Sequence, residues 1–74
     1  MKTLKWTFEN VGLLDVSYIE NSIRTYCFKN DYEFSIEKGS GILWKPMWVS
    51  ITVPDNEAMM VKSDIHYMFQ ENWE

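Results

Sequence analysis

The feature that most constrains this chain is the alternation of apolar and polar residues in separate short segments. Near the start of the chain, Leu4, Trp6 and Phe8 alternate with threonine and lysine. Successive side chains of a strand point to opposite sides, so this pattern predicts a strand over residues 2–8 with one buried face. A chain with this pattern has to build a sheet and cover one side of it.

Two further alternating segments, residues 31–38 and 42–53, predict a β-hairpin. The linking sequence KGSG is typical of a turn, because its glycines can adopt positive φ. The second arm is predicted to have an apolar face of Met47, Val49, Ile51 and Val53 and an opposite face of Trp48, Ser50 and Thr52. Pro46 has no amide hydrogen to donate, so we expect a bulge or a free edge near Trp44.

Apolar residues with helical spacing predict a first helix that ends near Lys29. Two N-caps compete for its start. Ser17 would form a capping box with Glu20, whereas Asp15 would allow a hydrophobic staple that includes Leu14. The predicted core face of this helix consists of Val16, Ile19, Ile23, Tyr26 and Cys27.

The sequence PDNE stops the last strand and predicts a second helix over about residues 55–72. Its core stripe is predicted to consist of Ala58, Val61, Ile65, Met68 and Phe69. Met60 and Tyr67 fall on the opposite side of this helix, with Asp64 and Glu71 beside them. This outer face is a candidate partner-binding surface, because methionine adapts its shape to varied partners.

The predicted order is β-α-β-β-α, an α+β fold in one domain over residues 1–74. We expect a mainly antiparallel three-stranded sheet in the order 1-3-2, with two helices on one face. The architecture resembles a ferredoxin-like unit that lacks its last strand. Strand 1 would be an open edge. Trp48 on the uncovered sheet face would be a candidate anchor for a partner, and Trp44 would join it there if the bulge at Pro46 preserves the phase of the strand.

Composition excludes several classes of site. The single cysteine cannot form an internal disulfide, and one cysteine with one histidine does not complete a tetrahedral zinc set. The net charge is −4 and the seven basic residues are dispersed, which disfavours binding to nucleic acid or to an anionic membrane. No apolar stretch approaches the ~20 residues of a membrane span or forms a signal peptide, and a free cysteine suits a reducing compartment. We therefore expect a cytoplasmic protein without a metal or a cofactor.

No catalytic constellation is evident. His66 would need an orienting partner, and Cys27 as a nucleophile would need to be exposed, whereas its position predicts a core residue. The carboxylate pairs Glu33/Glu37 and Asp64/Glu71 are expected to be solvated. These observations favour a protein that is not an enzyme.

The first functional hypothesis is therefore a protein-binding module. In size and charge the chain resembles small inhibitor or immunity-type proteins of phages and mobile elements, which bind and block a host protein. A homodimer through the strand 1 edge or through the open sheet face is a variant of this hypothesis. The alternative is a single-stranded nucleic-acid-binding domain that stacks bases on Trp44 and Trp48, or an acidic mimic of DNA that blocks a DNA-binding protein.

Overall fold

A computed structural model describes residues 1–69 of the chain. The elements are β1 (Lys2–Gly12), α1 (Leu13–Asn30), β2 (Glu33–Lys38), β3 (Trp44–Val53) and α2 (Ala58–Met68), with a 3₁₀ turn at Asp55–Glu57 before α2. The predicted order β-α-β-β-α is confirmed. Glu71 and the predicted end of the second helix lie outside the described residues.

The three strands form one sheet in the order β1-β3-β2, and β3 runs antiparallel to both of its neighbours. The two strands joined by α1 are therefore parallel to each other and separated by β3, as predicted. Both helices cover the same face of the sheet, because the buried residues of α1 and α2 belong to one cluster with those of the strands. The sheet thus has one covered and one open face.

The core follows the predicted alternation and helical spacing. On β3, Met47, Val49, Ile51 and Val53 are at most 1% exposed. The helices contribute Val16, Ile19, Ile23 and Cys27 from α1, and Ala58, Val61, Ile65 and the adjacent Phe69 from α2. Tyr26 and Met68, which were predicted to belong to these stripes, lie half-buried at the margin of the core.

β1 is longer than the sequence predicts, because a bulge allows it to continue past Phe8. Phe8 pairs with Met47 and Val11 pairs with Lys45, so two residues of β1 stand opposite Pro46 alone. The irregularity expected at this proline is confirmed, and the extra residue is in the partner strand. Since the bulge also shifts the phase of β1, Val11 returns to the core face and is buried.

Both predicted N-caps of the first helix are wrong. The helix begins at Leu13, its N-cap is Gly12, and no side chain caps it. Leu14 is 91% exposed and forms no hydrophobic staple. A tertiary contact takes the place of the cap, since the backbone N–H of Leu13 donates a hydrogen bond to the carbonyl oxygen of Leu43 at 3.1 Å.

The glycines of the hairpin turn allow backbone atoms to approach each other closely. No glycine among residues 1–69 has positive φ, so the predicted turn conformation is wrong. A Cβ atom at Gly41 would overlap the carbonyl oxygen of Trp44, which only glycine avoids. The turn folds back on the chain at this point, so that β3 begins at Trp44 and Ile42 and Leu43 remain in the loop.

Two tyrosine hydroxyls tie the helices and the second strand together. Tyr26 donates to Asp64 at 2.7 Å and so joins α1 to α2. Tyr32 donates to Glu57 at 2.6 Å and so joins the segment before β2 to the turn before α2. The hydrogen bond to Glu57, together with burial and the negative charge of that carboxylate, raises the pKa of Tyr32 to about 12. Burial and the hydrogen bond to Asp64 raise the pKa of Tyr26 still more strongly.

We expect Tyr32→Phe to lower the free energy of unfolding at pH 8 by about 1 kcal/mol, because one hydrogen bond is lost. The raised pKa favours the neutral phenol in the folded state. Its contribution is therefore complete below the unfolded pKa of about 10 and is lost as pH rises toward 12. Urea unfolding measured from pH 8 to 12 should show the difference between parent and variant shrinking over this interval. Tyr67→Phe, at a 71% exposed tyrosine, is the control and should follow the parent.

Cys27 is fully buried, and burial raises the pKa of its thiol to about 11. We expect no reaction of the folded protein with Ellman's reagent at pH 8 and complete reaction in urea, because the thiolate is the reactive form. A Phe28→Cys variant places a thiol at the neighbouring, 89% exposed position and should react in the folded state. Rapid labelling of the folded parent would contradict the position assigned to Cys27.

Candidate interaction site

The open face of the sheet carries polar residues on its outer strands and two tryptophans on its central strand. Among residues 1–69, its members are Thr3, Lys5 and Thr7 from β1, Glu33, Ser35 and Glu37 from β2, and Trp44, Pro46, Trp48, Ser50 and Thr52 from β3. Thr3 and Thr52 share a hydrogen bond of 3.1 Å across this face. Because β1 and β2 contribute polar side chains to this face, its apolar surface lies on β3.

Trp48 stands in the middle of the open face and is 42% exposed. Its cross-strand neighbours are Thr7 on one side and Glu37 on the other. A Cβ atom at Gly39 would lie 3.2 Å from the indole and 2.5 Å from Cγ of Pro46. The ring thus rests against the hairpin turn where glycine leaves space, and the rest of its surface faces outward.

Trp44 lies on the same face, because the bulge is in β1 and leaves the alternation of β3 unbroken. It pairs with Gly12, the last residue of β1, and is 61% exposed. A Cβ atom at Gly12 would lie 3.1 Å from the Trp44 ring. The indole therefore packs on bare backbone and presents the remainder of its surface to solvent.

A cluster of exposed apolar residues that sequence analysis missed adjoins Trp44. Leu13 and Leu14 open α1 and are 57% and 91% exposed, and Ile42 and Leu43 precede β3 and are 88% and 67% exposed. The hydrogen bond between Leu13 and Leu43 holds the two segments side by side. We call these four residues and Trp44 the apolar end. The sequence did contain an indication of this cluster, because the consecutive apolar pairs Leu13–Leu14 and Ile42–Leu43 fit neither an alternation of period two nor a helical stripe.

The apolar end continues along β3 onto the open face. Trp44, Pro46 and Trp48 occupy alternate positions of one strand, so their side chains follow one another on the same side of the sheet. The surface combines two half-exposed indoles with aliphatic side chains, and Lys45, the charged residue of β3, alternates to the other side of the strand. Such a surface is suited to contact with another apolar surface.

The second predicted surface lies apart from this one. Met60 and Tyr67 are 49% and 71% exposed on α2, which covers the other face of the sheet. Asp64 is exposed as predicted, but its carboxylate accepts the hydrogen bond from Tyr26 and so contributes to the α1–α2 contact. Glu71, the fourth predicted member, lies outside the described residues. The structure thus separates the tryptophans from the α2 residues.

The residues considered for chemistry do not form a reaction centre within the described part of the chain. Cys27 is enclosed in the core, whereas His66 is on the exposed side of α2, with its ring 5.8 Å from that of Tyr67. No three His, Cys, Asp or Glu side chains of residues 1–69 converge as metal ligands would. Neither helix in this range has the length and apolar character needed to cross a bilayer.

No protein-family model, curated protein or solved structure matches this chain. The surface chemistry of the fold itself is therefore the guide to function.

We expect Trp48→Ala to remain folded and to lose about 1 kcal/mol of the free energy of unfolding, because the side chain is half-exposed on the open face. Ile51→Ala, on the same strand but fully buried, should lose about 2–5 kcal/mol. Urea unfolding followed by circular dichroism measures both. Equal losses in the two variants would contradict the assignment of Trp48 to an open face.

Proposed function

We propose that this chain is a small protein-binding domain that works without catalysis and docks its partner on the apolar end and Trp48. Within that class, its size and acidity fit an inhibitor or immunity-type protein of the phage or mobile-element kind, which binds and blocks a host protein. The observation that carries the proposal is the exposure of the apolar end, which includes Trp44, next to the half-exposed Trp48.

The physical argument starts from the cost of leaving apolar groups in water. Burial of apolar surface gains roughly 25 cal/mol per Å², so exposed leucine, isoleucine and tryptophan side chains forgo several kcal/mol together. Single exposed apolar residues are common, but a contiguous cluster is typical of an interaction site. Tryptophan at the centre of an interface often carries much of the binding energy. Trp44 lies at the centre of this surface, between the aliphatic residues of the apolar end and Trp48.

The surrounding charges favour a protein over a nucleic acid as the partner. Glu37 stands directly beside Trp48, and Glu33 lies further along the same strand, so acids line the β2 side of the face. A phosphate backbone that followed stacked bases across this sheet would meet those carboxylates. Lys5 is the cation of β1 on this face and stands beside Ser50. A protein surface with apolar groups and basic residues complements this arrangement better.

The test is capture of partners from a lysate of the organism that encodes the chain, with the immobilised full chain as bait. Leu14→Ser and Phe28→Ser form a matched pair, because the two side chains are 91% and 89% exposed on the same helix. We expect Leu14→Ser and Ile42→Ser to weaken capture of a specific protein by roughly fivefold to thirtyfold each, equivalent to about 1–2 kcal/mol. Phe28→Ser should capture it as the parent does.

Equal capture by Leu14→Ser and Phe28→Ser would contradict the assigned surface. Salt-sensitive binding of a labelled oligonucleotide, measured by anisotropy, would favour the nucleic-acid alternative. Size-exclusion chromatography with light scattering tests the homodimer. A dimer that Ile42→Ser dissociates would assign the apolar end to self-association.

A further inference from the structure

The outer edge of β1 is the longer of the two free sheet edges in the described structure. β1 spans 11 residues and β2 spans 6, and β3 occupies the position between them. No strand of residues 1–69 pairs with the outer side of β1, so the N–H and C=O groups that point away from β3 are available to an added strand. An extended peptide can pair with such an edge through its main chain.

A groove runs beside this edge, between β1 and α2. Its volume is about 510 Å³, and both elements line it. Trp6 and Leu4 form its floor on the strand side, and Met59 and Tyr67 border it from α2. Trp6 is half-buried, whereas Met59 and Tyr67 are 81% and 71% exposed. A side chain of a strand added to β1 would enter this groove, because alternate residues of that strand face the helices.

The charge of the groove is opposite to that of the whole chain. The chain has 11 acidic and 7 basic residues, yet no Asp or Glu of residues 1–69 lines the groove. Lys5 and Lys62 border it from opposite sides, and neither forms an ion pair with another residue in that range. Lys62 therefore lies on the groove side of the β1 edge, and Lys5, whose side chain belongs to the open face, lies on the other side of the same edge.

We propose that the outer edge of β1 and this groove together form a site for an acidic, extended peptide segment of another protein. The main chain of the segment pairs with β1, apolar side chains on the groove side contact Trp6 and Met59 near Lys62, and the alternate acidic side chains on the open-face side face Lys5. This site is separate from the apolar end and does not depend on it.

A second copy of the chain fits the site less well than an acidic segment. Antiparallel pairing of two β1 strands in a register centred between Leu4 and Trp6 would place the two Lys5 side chains opposite or diagonal to each other. Like charges at such positions repel. The same complementarity that favours an acidic peptide thus disfavours this dimer.

The probe is a fluorescein-labelled octapeptide, TEVEVEVT, whose alternating pattern suits an added strand. Two controls separate the parts of the proposal. The peptide TKVKVKVT reverses the charge, and a form of TEVEVEVT with alternate backbone amides N-methylated removes the donors that would pair with β1. We expect measurable anisotropy change with TEVEVEVT and at least tenfold weaker binding for both controls, while hydrogen exchange of β1 amides slows on binding.

Charge-reversal variants test the side-chain contacts in the full chain. Lys62→Glu and Lys5→Glu should each weaken binding of TEVEVEVT by roughly threefold to tenfold. Lys29→Glu, on α1 and outside the groove lining, makes the same change in net charge and should leave binding unaltered. Leu14→Ser should also leave it unaltered, which distinguishes this site from the apolar end.

Equal binding of the acidic and basic peptides, or no effect of N-methylation, would overturn the proposal. A homodimer that protects β1 amides and excludes TEVEVEVT would also overturn it, since the occupant would then be a second copy. Equal weakening by Lys62→Glu and Lys29→Glu would show that net charge alone governs binding and would overturn the assignment of the peptide to the groove.

Discussion

The whole structure depends on β3, which must bury one side under two helices while it pairs with a neighbour on each edge. Its alternation leaves no freedom in register, because a shift by one residue would bring Trp48, Ser50 and Thr52 into the core and expose the apolar face. Pro46 interrupts hydrogen bonding within this same strand. The irregularity is accommodated by an additional residue in β1, so the phase of β3 is preserved along its full length.

Much of this arrangement could be predicted from local pattern. Period-two alternation identified the faces of all three strands, and helical spacing identified the buried residues of α1 and α2. The features that were missed depend on tertiary contacts or on close approach of backbone atoms within the hairpin turn. The start of α1 is determined by the carbonyl oxygen of Leu43, and the glycine at position 41 is required by the approach of Trp44, which no local propensity encodes. Ile42 was likewise predicted to belong to a strand, because no turn-forming residue follows it before Trp44.

Local pattern likewise predicted only part of the candidate site, because the rest depends on tertiary contacts. The alternation of β3 placed Trp48 on the open face, and the position of Trp44 depended on whether the bulge changed the phase of β3. The apolar end was not predicted, because Leu13 and Leu43 come together only when the helix start meets the hairpin. The two surfaces of the molecule differ in chemistry, one aliphatic and aromatic, the other a groove with lysines. A thin fold of this kind has a large surface relative to its core, so both can coexist without disturbing the packing.

The hydrogen bond between the Leu13 amide and the Leu43 carbonyl affects how the apolar end can evolve. It joins the two segments through main-chain atoms, and the side chains of Leu14 and Ile42 extend outward with little contact to the core. Substitutions at these positions would alter what the surface recognises while the framework beneath stays the same. The apolar end is thus a part of the molecule at which specificity can diverge with little penalty to folding, much as variable loops diverge on a constant scaffold.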